Sequence, residues 1–131
     1  ESIPTLLESL NLTSNDLLYD LGCGDGRILI EAVKKYKCRA VGIEQNPIVA
    51  NKARRNINKA GLQKYINIVT GDIRKYNLSE ATAITMYLYP DLIEQLLPKI
   101  KTNRVASYMH ELPNSEDVGM SVYILKGGDW W

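Results

Sequence analysis

Leu17-Leu18-Tyr19-Asp20-Leu21-Gly22-Cys23-Gly24-Asp25-Gly26-Arg27 is the stretch that decides the fold. A short, largely apolar run enters a loop with glycine at every second position. A helical pattern follows at once, with Ile28, Leu29, Ala32, Val33 and Tyr36 on one face and Arg27, Glu31, Lys34 and Lys35 opposite. Strand, glycine turn and amphipathic helix in that order open a βαβ unit.

The alternation continues on both sides of this stretch. Ala40-Val41-Gly42-Ile43-Glu44 reads as a second strand. Asn46 suits the cap of the next helix, Pro47 its first position and Gly61 its exit. Val49, Ala53, Ile57 and Ala60 share its inner face, and Lys52, Arg54, Arg55 and Lys59 are read as solvated on the outer one. Tyr65 to Thr70 is a third strand leading into Gly71-Asp72, and Ala81 to Tyr87 a fourth. Leu92, Ile93, Leu96 and Leu97 form a short helix disturbed by Pro98, and Arg104 to Tyr108 is a fifth strand. The loop Leu112 to Gly119 is too short for a parallel crossover of a dozen residues or more, so the strand expected over Met120 to Leu125 is antiparallel. In front, Thr5 to Leu10 is helical and Ser14-Asn15 a turn. The pattern predicts an α/β fold: a mostly parallel sheet with helices on both faces and a final antiparallel strand, in one domain over residues 1–131.

Composition narrows the class. Apolar residues make up 45% and charged residues 24%, as in an ordinary globular protein, and the formal charge is +1. That balance gives no strong nucleic-acid signal, because a protein built chiefly to hold phosphates carries a basic excess. The longest mostly apolar stretch, Ala81 to Tyr89, is far shorter than the roughly 20 residues of a membrane helix. No secretory pattern opens the chain, so a cytoplasmic location is expected; it begins at Glu1 rather than Met, so residues are expected to be missing from the front. Cys23 and Cys38 lack metal-ligand spacing and His110 stands alone, so no metal site is expected.

The loop chemistry selects a ligand class. Dinucleotide folds seat a pyrophosphate on Gly-x-Gly-x-x-Gly. Here the spacing is Gly-x-Gly-x-Gly, with Asp20 just ahead and Asp25 inside. Two carboxylates repel a pyrophosphate and attract an ammonium or sulfonium. Glu44, 24 positions after Asp20, ends the second strand where an acid accepts from ribose hydroxyls. Asp72 follows the third strand, placed to accept from an exocyclic adenine amine. Singly, each acid reads equally as a helix cap or a solvated loop residue; it is their placement at three successive strand ends that points to a ligand.

Tyr19 to Arg27 resembles motif I of the class I S-adenosylmethionine-dependent methyltransferases. Val41-Gly42-Ile43-Glu44 is similar to their ribose-binding strand, and Gly71-Asp72-Ile73 to their adenine-binding loop. The resemblance covers Leu17 to about Tyr108 and implies the Rossmann-like class I methyltransferase fold, S-adenosyl-L-methionine as cofactor and S-adenosyl-L-homocysteine as product. It places Asp20, Gly22 and Gly24 around the methionine moiety, Glu44 at the ribose, and Asp72 with Ile73 at the adenine, and it includes Cys23, Gly26 and Gln45 in the same cofactor site.

The acceptor is read from the end of the fourth strand. Thr85-Met86-Tyr87-Leu88-Tyr89-Pro90 lacks the Asn/Asp-Pro-Pro-Tyr/Phe run of many base-amine methyltransferases. With Leu92-Ile93, Leu96-Leu97-Pro98 and His110-Glu111, it resembles small archaeal protein lysine methyltransferases and the mitochondrial ATP synthase lysine methyltransferases. Ile3-Pro4-Thr5 is similar to their amino-terminal Pro-Thr segment, while the aromatic segment ahead of it is missing and the final hairpin looks shortened. The resemblance implies a protein substrate whose lysine amine meets Tyr87 and Tyr89 in an aromatic channel; Tyr89 reads equally as packing under a helix. His110-Glu111 is a cleft mouth or, more simply, a strand-end cap, and Trp130-Trp131 a partner contact or a loose tail. Two rival readings stay open: a methyltransferase acting on a small molecule or RNA, and a module that binds the cofactor or a nucleotide without catalysis. Oligomeric state is not legible.

Overall fold

The computed structural model describes residues 2–102, 104–108, 115–117 and 122–125. The order is α1 (Ser2–Glu8), β1 (Leu17–Leu21), α2 (Arg27–Tyr36), β2 (Arg39–Glu44), α3 (Pro47–Lys59), β3 (Ile66–Thr70), β4 (Ala83–Met86), α4 (Pro90–Leu96), β5 (Val105–Tyr108), β6 (Ser115–Asp117) and β7 (Val122–Leu125). Two 3-10 turns, Ile73–Lys75 and Leu97–Lys99, follow β3 and α4.

The strands form one sheet in the order β3-β2-β1-β4-β5-β7-β6. Neighbours from β3 to β5 pair in parallel, and β7 runs antiparallel to both β5 and β6. The chain builds outward from β1 to β3 and then returns to lay β4 on the other side of β1. Strand order reverses between β1 and β4, and in open α/β sheets that reversal opens a crevice beyond the strand ends.

Burial on both faces explains the apolar strands. Leu18, Ala40, Ala83 and Ala106 face a cluster built with Leu6, Leu7 and Leu10, Leu29 and Val33 of α2, and Ala53 and Ile57 of α3. Tyr19, Leu21, Ile84 and Met86 face a second cluster with Ile73, Leu78, Ile93 and Leu96. A central parallel strand covered on two sides reads as a continuous apolar run, as β1 does.

β2, β3 and β5 begin within one residue of the sequence reading, and three larger differences stand out. The first helix spans Ser2–Glu8 rather than Thr5 to Leu10. Leu10 N–H bonds Leu7 carbonyl in a tightened last turn, and Asn11 leaves it in a left-handed conformation, φ 52°. The fourth strand is shorter than Ala81 to Tyr87, because only Ala83–Met86 has partners in β1 and β5. The expected loop Leu112 to Gly119 contains the edge strand β6, too short to leave a periodic signal. Met120, His110, Glu111, Trp130 and Trp131, which carried sequence expectations, lie outside the described residues.

Candidate functional site

The glycine loop hangs at the switch point between β1 and β4. Gly22, Gly24 and Gly26 have φ of 77°, 58° and 88°, left-handed backbone that favours glycine. At Gly22 only glycine combines that conformation with a close approach, since an added Cβ would stand 2.9 Å from the Leu88 Cδ2 that follows β4, whereas at Gly26 an added Cβ would meet Ala53 of α3 at an ordinary 3.4 Å. Asn56, one turn further along α3, donates from Nδ2 to the Asp25 carbonyl at 2.9 Å. Glu44 holds the other side, its Oε1 accepting from Gly24 N–H at 2.9 Å and its Oε2 from Asn46 N–H at 3.1 Å.

These bonds leave the loop few amides to offer. Gly22 and Cys23 N–H both donate to the Ile43 carbonyl, at 2.9 and 3.1 Å. Gly26 N–H donates to Cys23 carbonyl, and Arg27 N–H to Asp25 Oδ1. A phosphate needs free N–H donors at such a loop. Here five of them already serve the protein's own oxygens.

Carboxylate chemistry dominates instead. Asp20, 1% exposed, stands near the end of β1, where its Oδ1 accepts the Thr85 hydroxyl of β4 at 2.9 Å. Its Oδ2 is buried with no hydrogen-bond partner, a condition shared among the described residues only by Ser107 Oγ. Burial pushes the Asp20 carboxyl up to about 7 against the Thr85 hydrogen bond, and the charge of Glu44 adds to the rise. A buried carboxylate oxygen without a hydrogen-bond donor is costly unless a donor or cation meets it. Cys23 beside it is pushed up to about 12 by burial and by Asp20 and Glu44, so it packs as an inert thiol.

A cavity of about 560 Å³ crosses the start of α2. It is lined by Ile3 and Leu6 of α1, the loop from Gly22 to Asp25, Arg27 and Ile28, Val49 and Lys52 of α3, and Tyr87 after β4. Of the residues singled out in the sequence, Gly22, Cys23, Gly24 and Tyr87 line it, whereas Asp20 and Gly26 do not. Ile3 belongs to the Pro-Thr segment singled out by resemblance, whereas Leu6, which carries only helical apolar spacing, and Lys52, read as solvated, were missed. Arg54 was also read as solvated, whereas its guanidinium donates to Ile68 carbonyl and Thr70 Oγ1, both at 2.9 Å, tying α3 to β3.

Glu44, Gln45, Asp72 and Ile73 stand on the neighbouring strand ends, outside that cavity. Asp72 caps the 3-10 turn and takes a two-pronged contact from Arg74, 3.0 Å to Oδ1 and 2.9 Å to Oδ2. Those bonds hold its carboxyl down at about 2. The Ile73 side chain is buried in the second apolar cluster. Tyr89 is 78% exposed at the start of α4, which removes the alternative of packing under a helix, and Tyr87 is 55% exposed.

The ANTKMT methyltransferase domain model matches residues 20–118, from this carboxylate through β6. The chain belongs to that family. As an S-adenosylmethionine-dependent methyltransferase it is 39% identical over 113 residues to a protein-lysine N-methyltransferase of Saccharolobus islandicus (strain REY15A), a match covering 82% of this chain and 70% of the relative. The adenine nucleotide translocase lysine N-methyltransferase of Mus musculus is 29% identical over 108 residues, covering 79% of this chain and 47% of that longer protein. Among solved structures, an RNA methyltransferase from Salinibacter ruber in complex with S-adenosyl-L-homocysteine superposes with a TM-score of 0.83. It is 32% identical, over 98% of the methyltransferase described here and 94% of the other chain. No helix among the described residues is long and apolar enough to cross a membrane.

Proposed function

We propose that this methyltransferase transfers the methyl group of S-adenosylmethionine to the side-chain amine of a protein lysine. The observation that carries the reading is the cavity that joins Tyr87 to the glycine loop, on the scaffold shared with the Saccharolobus protein-lysine N-methyltransferase. The orphaned Asp20 Oδ2 and the occupied loop amides fit a donor that presents an ammonium and no phosphate.

The roles follow from position. Asp20 receives the ammonium of the methionine moiety, and Gly22, Cys23, Gly24 and Gly26 give it room. Glu44 and Gln45 serve the ribose; each Glu44 oxygen, already accepting one backbone N–H, keeps a second lone pair for a hydroxyl. Asp72, whose Oδ1 already accepts two N–H groups of Arg74 and whose Oδ2 accepts one, serves the adenine amine through Oδ2, together with Ile73. When bound, the cofactor supplies an activated methyl on a sulfonium. What the protein adds is alignment and exclusion of water. Tyr87 and Tyr89 flank the approach of the amine. A free lysine has a pKa of roughly 10.4, and an apolar, aromatic surrounding favours its neutral, nucleophilic form.

A second reading, an RNA acceptor, is favoured by the Salinibacter match. Labelled S-adenosylmethionine, the protein and a mixed lysate, followed by mass spectrometry, separate the two. Label on lysine Nζ in trypsin-sensitive material supports the proposal. Label in nuclease-sensitive material alone overturns it.

A further inference from the structure

The near-zero net charge conceals a strong polarity. Residues 27–64, which form α2, β2 and α3, hold ten of the 16 basic side chains and two of the 15 acidic ones, a net charge of +8. The rest of the chain holds six basic and 13 acidic residues, a net charge of −7. Six of the ten cations, Lys34, Lys35, Lys37, Arg39, Lys59 and Lys64, are exposed together at one end of the sheet. The carboxyl ends of α2 and α3 meet the starts of β2 and β3 there, where Ala40 N–H bonds the Tyr65 carbonyl. Among the described residues, Lys35 alone of the six reaches a carboxylate, Glu8 at 3.8 Å.

Helix dipoles account for part of this. A cation in a last turn contributes about 0.3–1 kcal/mol, which covers Lys34, Lys35 and Lys59. It does not cover Arg39 in a strand or Lys64 in a loop, and crowding like charges on one edge opposes folding. Between these two stands Tyr65, an aromatic ring 46% exposed although it immediately precedes a buried strand residue.

We infer that this edge is a docking surface for single-stranded nucleic acid, its cations following the phosphodiester backbone and Tyr65 stacking on a base. Cations around an exposed ring are the arrangement such binding uses. An anionic membrane would call for several apolar side chains among the cations, and here the other exposed residues of the last turn of α3 and its exit are Asn58, Gly61 and Gln63. The surface lies at the amino-terminal ends of the strands, opposite the glycine loop. A nucleic acid held there leaves the methyl-transfer edge open and is not itself placed to be methylated, so the inference is independent of which acceptor is used.

The test is fluorescence anisotropy of the whole chain with a labelled 20-nucleotide RNA of mixed sequence and the same sequence as single-stranded DNA. Both should bind. With five or six phosphate contacts, raising salt from about 50 to about 200 mM should weaken binding on the order of 10²-fold. The triple variant Lys37→Glu/Arg39→Glu/Lys64→Glu should lose at least about tenfold in affinity, and Tyr65→Ala about five- to tenfold with the salt slope unchanged, while Tyr65→Phe retains binding. Both variants should keep wild-type melting behaviour and S-adenosylhomocysteine affinity. Absence of oligonucleotide binding at low salt, affinity untouched by the variants, or preference for vesicles of anionic lipid over either strand would overturn the inference.

Discussion

Arg104 and Asp16 meet through two hydrogen bonds, 2.6 Å from Nη1 to Oδ1 and 3.0 Å from Nη2 to Oδ2. The same guanidinium donates to the carbonyls of Leu10 and Asn11. One side chain at the head of β5 therefore fastens the exit of α1 to the approach of β1. Since Ile3 and Leu6 of α1 line the cavity, this fastening also sets one of its walls.

Arg104→Ala should destabilise the fold by about 2–3 kcal/mol, just below the roughly 3–5 kcal/mol of a fully buried broken pair, because Arg104 is one-third exposed. A urea midpoint measures it. Burial raises the Asp16 carboxyl, but the bonds from Arg104, Thr13 N–H and Thr82 outweigh that and hold it at about 2. A depressed carboxyl stabilises the fold above its ordinary value near 4, and that stability is lost as pH falls from about 4 through about 2. The acid-induced loss should flatten in the variant. An equally steep acid limb would show that Asp16 is not its source.

Asp20 acts in the opposite sense. Its folded value, about 7, lies above the ordinary carboxyl value, so the ligand-free fold binds the extra proton. Stability is therefore full below about pH 4 and falls as pH rises through about 7. Melting temperatures from pH 5 to pH 8 should show this decline, and saturating S-adenosylhomocysteine should reduce it by pairing the carboxylate. Asp20→Asn should flatten the profile without ligand and weaken S-adenosylhomocysteine by about tenfold or more. Parallel profiles for the two proteins would remove the role.

Gly42 is a packing requirement in mid-strand. An added Cβ would stand 2.6 Å from Leu29 Cδ1 and 2.7 Å from Cys23 Sγ. Gly42→Ala should cost about 1–3 kcal/mol by overpacking and, by pushing Cys23, lower cofactor affinity as well. Calorimetry with unchanged affinity in a destabilised variant would separate the strand from the loop.

Tyr87 divides ring from hydroxyl. Tyr87→Phe should lower kcat about tenfold with S-adenosylhomocysteine affinity within about twofold, and Tyr87→Ala should also raise KM for a lysine peptide. Steady-state kinetics give both, and an unaltered kcat in Tyr87→Phe would assign the residue to shape alone.

The parallel half of the sheet was legible because β1, β2 and β3 combine apolar runs with turn chemistry in a few adjacent residues. Asn46 behaves as read, its Oδ1 accepting from Ile48 N–H at 2.9 Å. What stayed hidden joins distant parts of the chain. Arg104 lies 88 positions from Asp16 and Thr85 lies 65 from Asp20, and neither spacing leaves a local trace. Arg54 misled because one face of a helix can carry a solvated cation and a bonded one side by side. The two charge halves were concealed by summing over the chain.

The orphaned oxygen of Asp20 has a kinetic corollary. In the proposed role, the ammonium that Asp20 receives is common to methyl donor and demethylated product, so the contact strengthens both complexes alike. Such uniform binding lowers KM without raising kcat. Donor and product affinities should then weaken together as pH drops below about 7 and the carboxylate takes a proton instead, while their ratio, and with it the degree of product inhibition, stays the same.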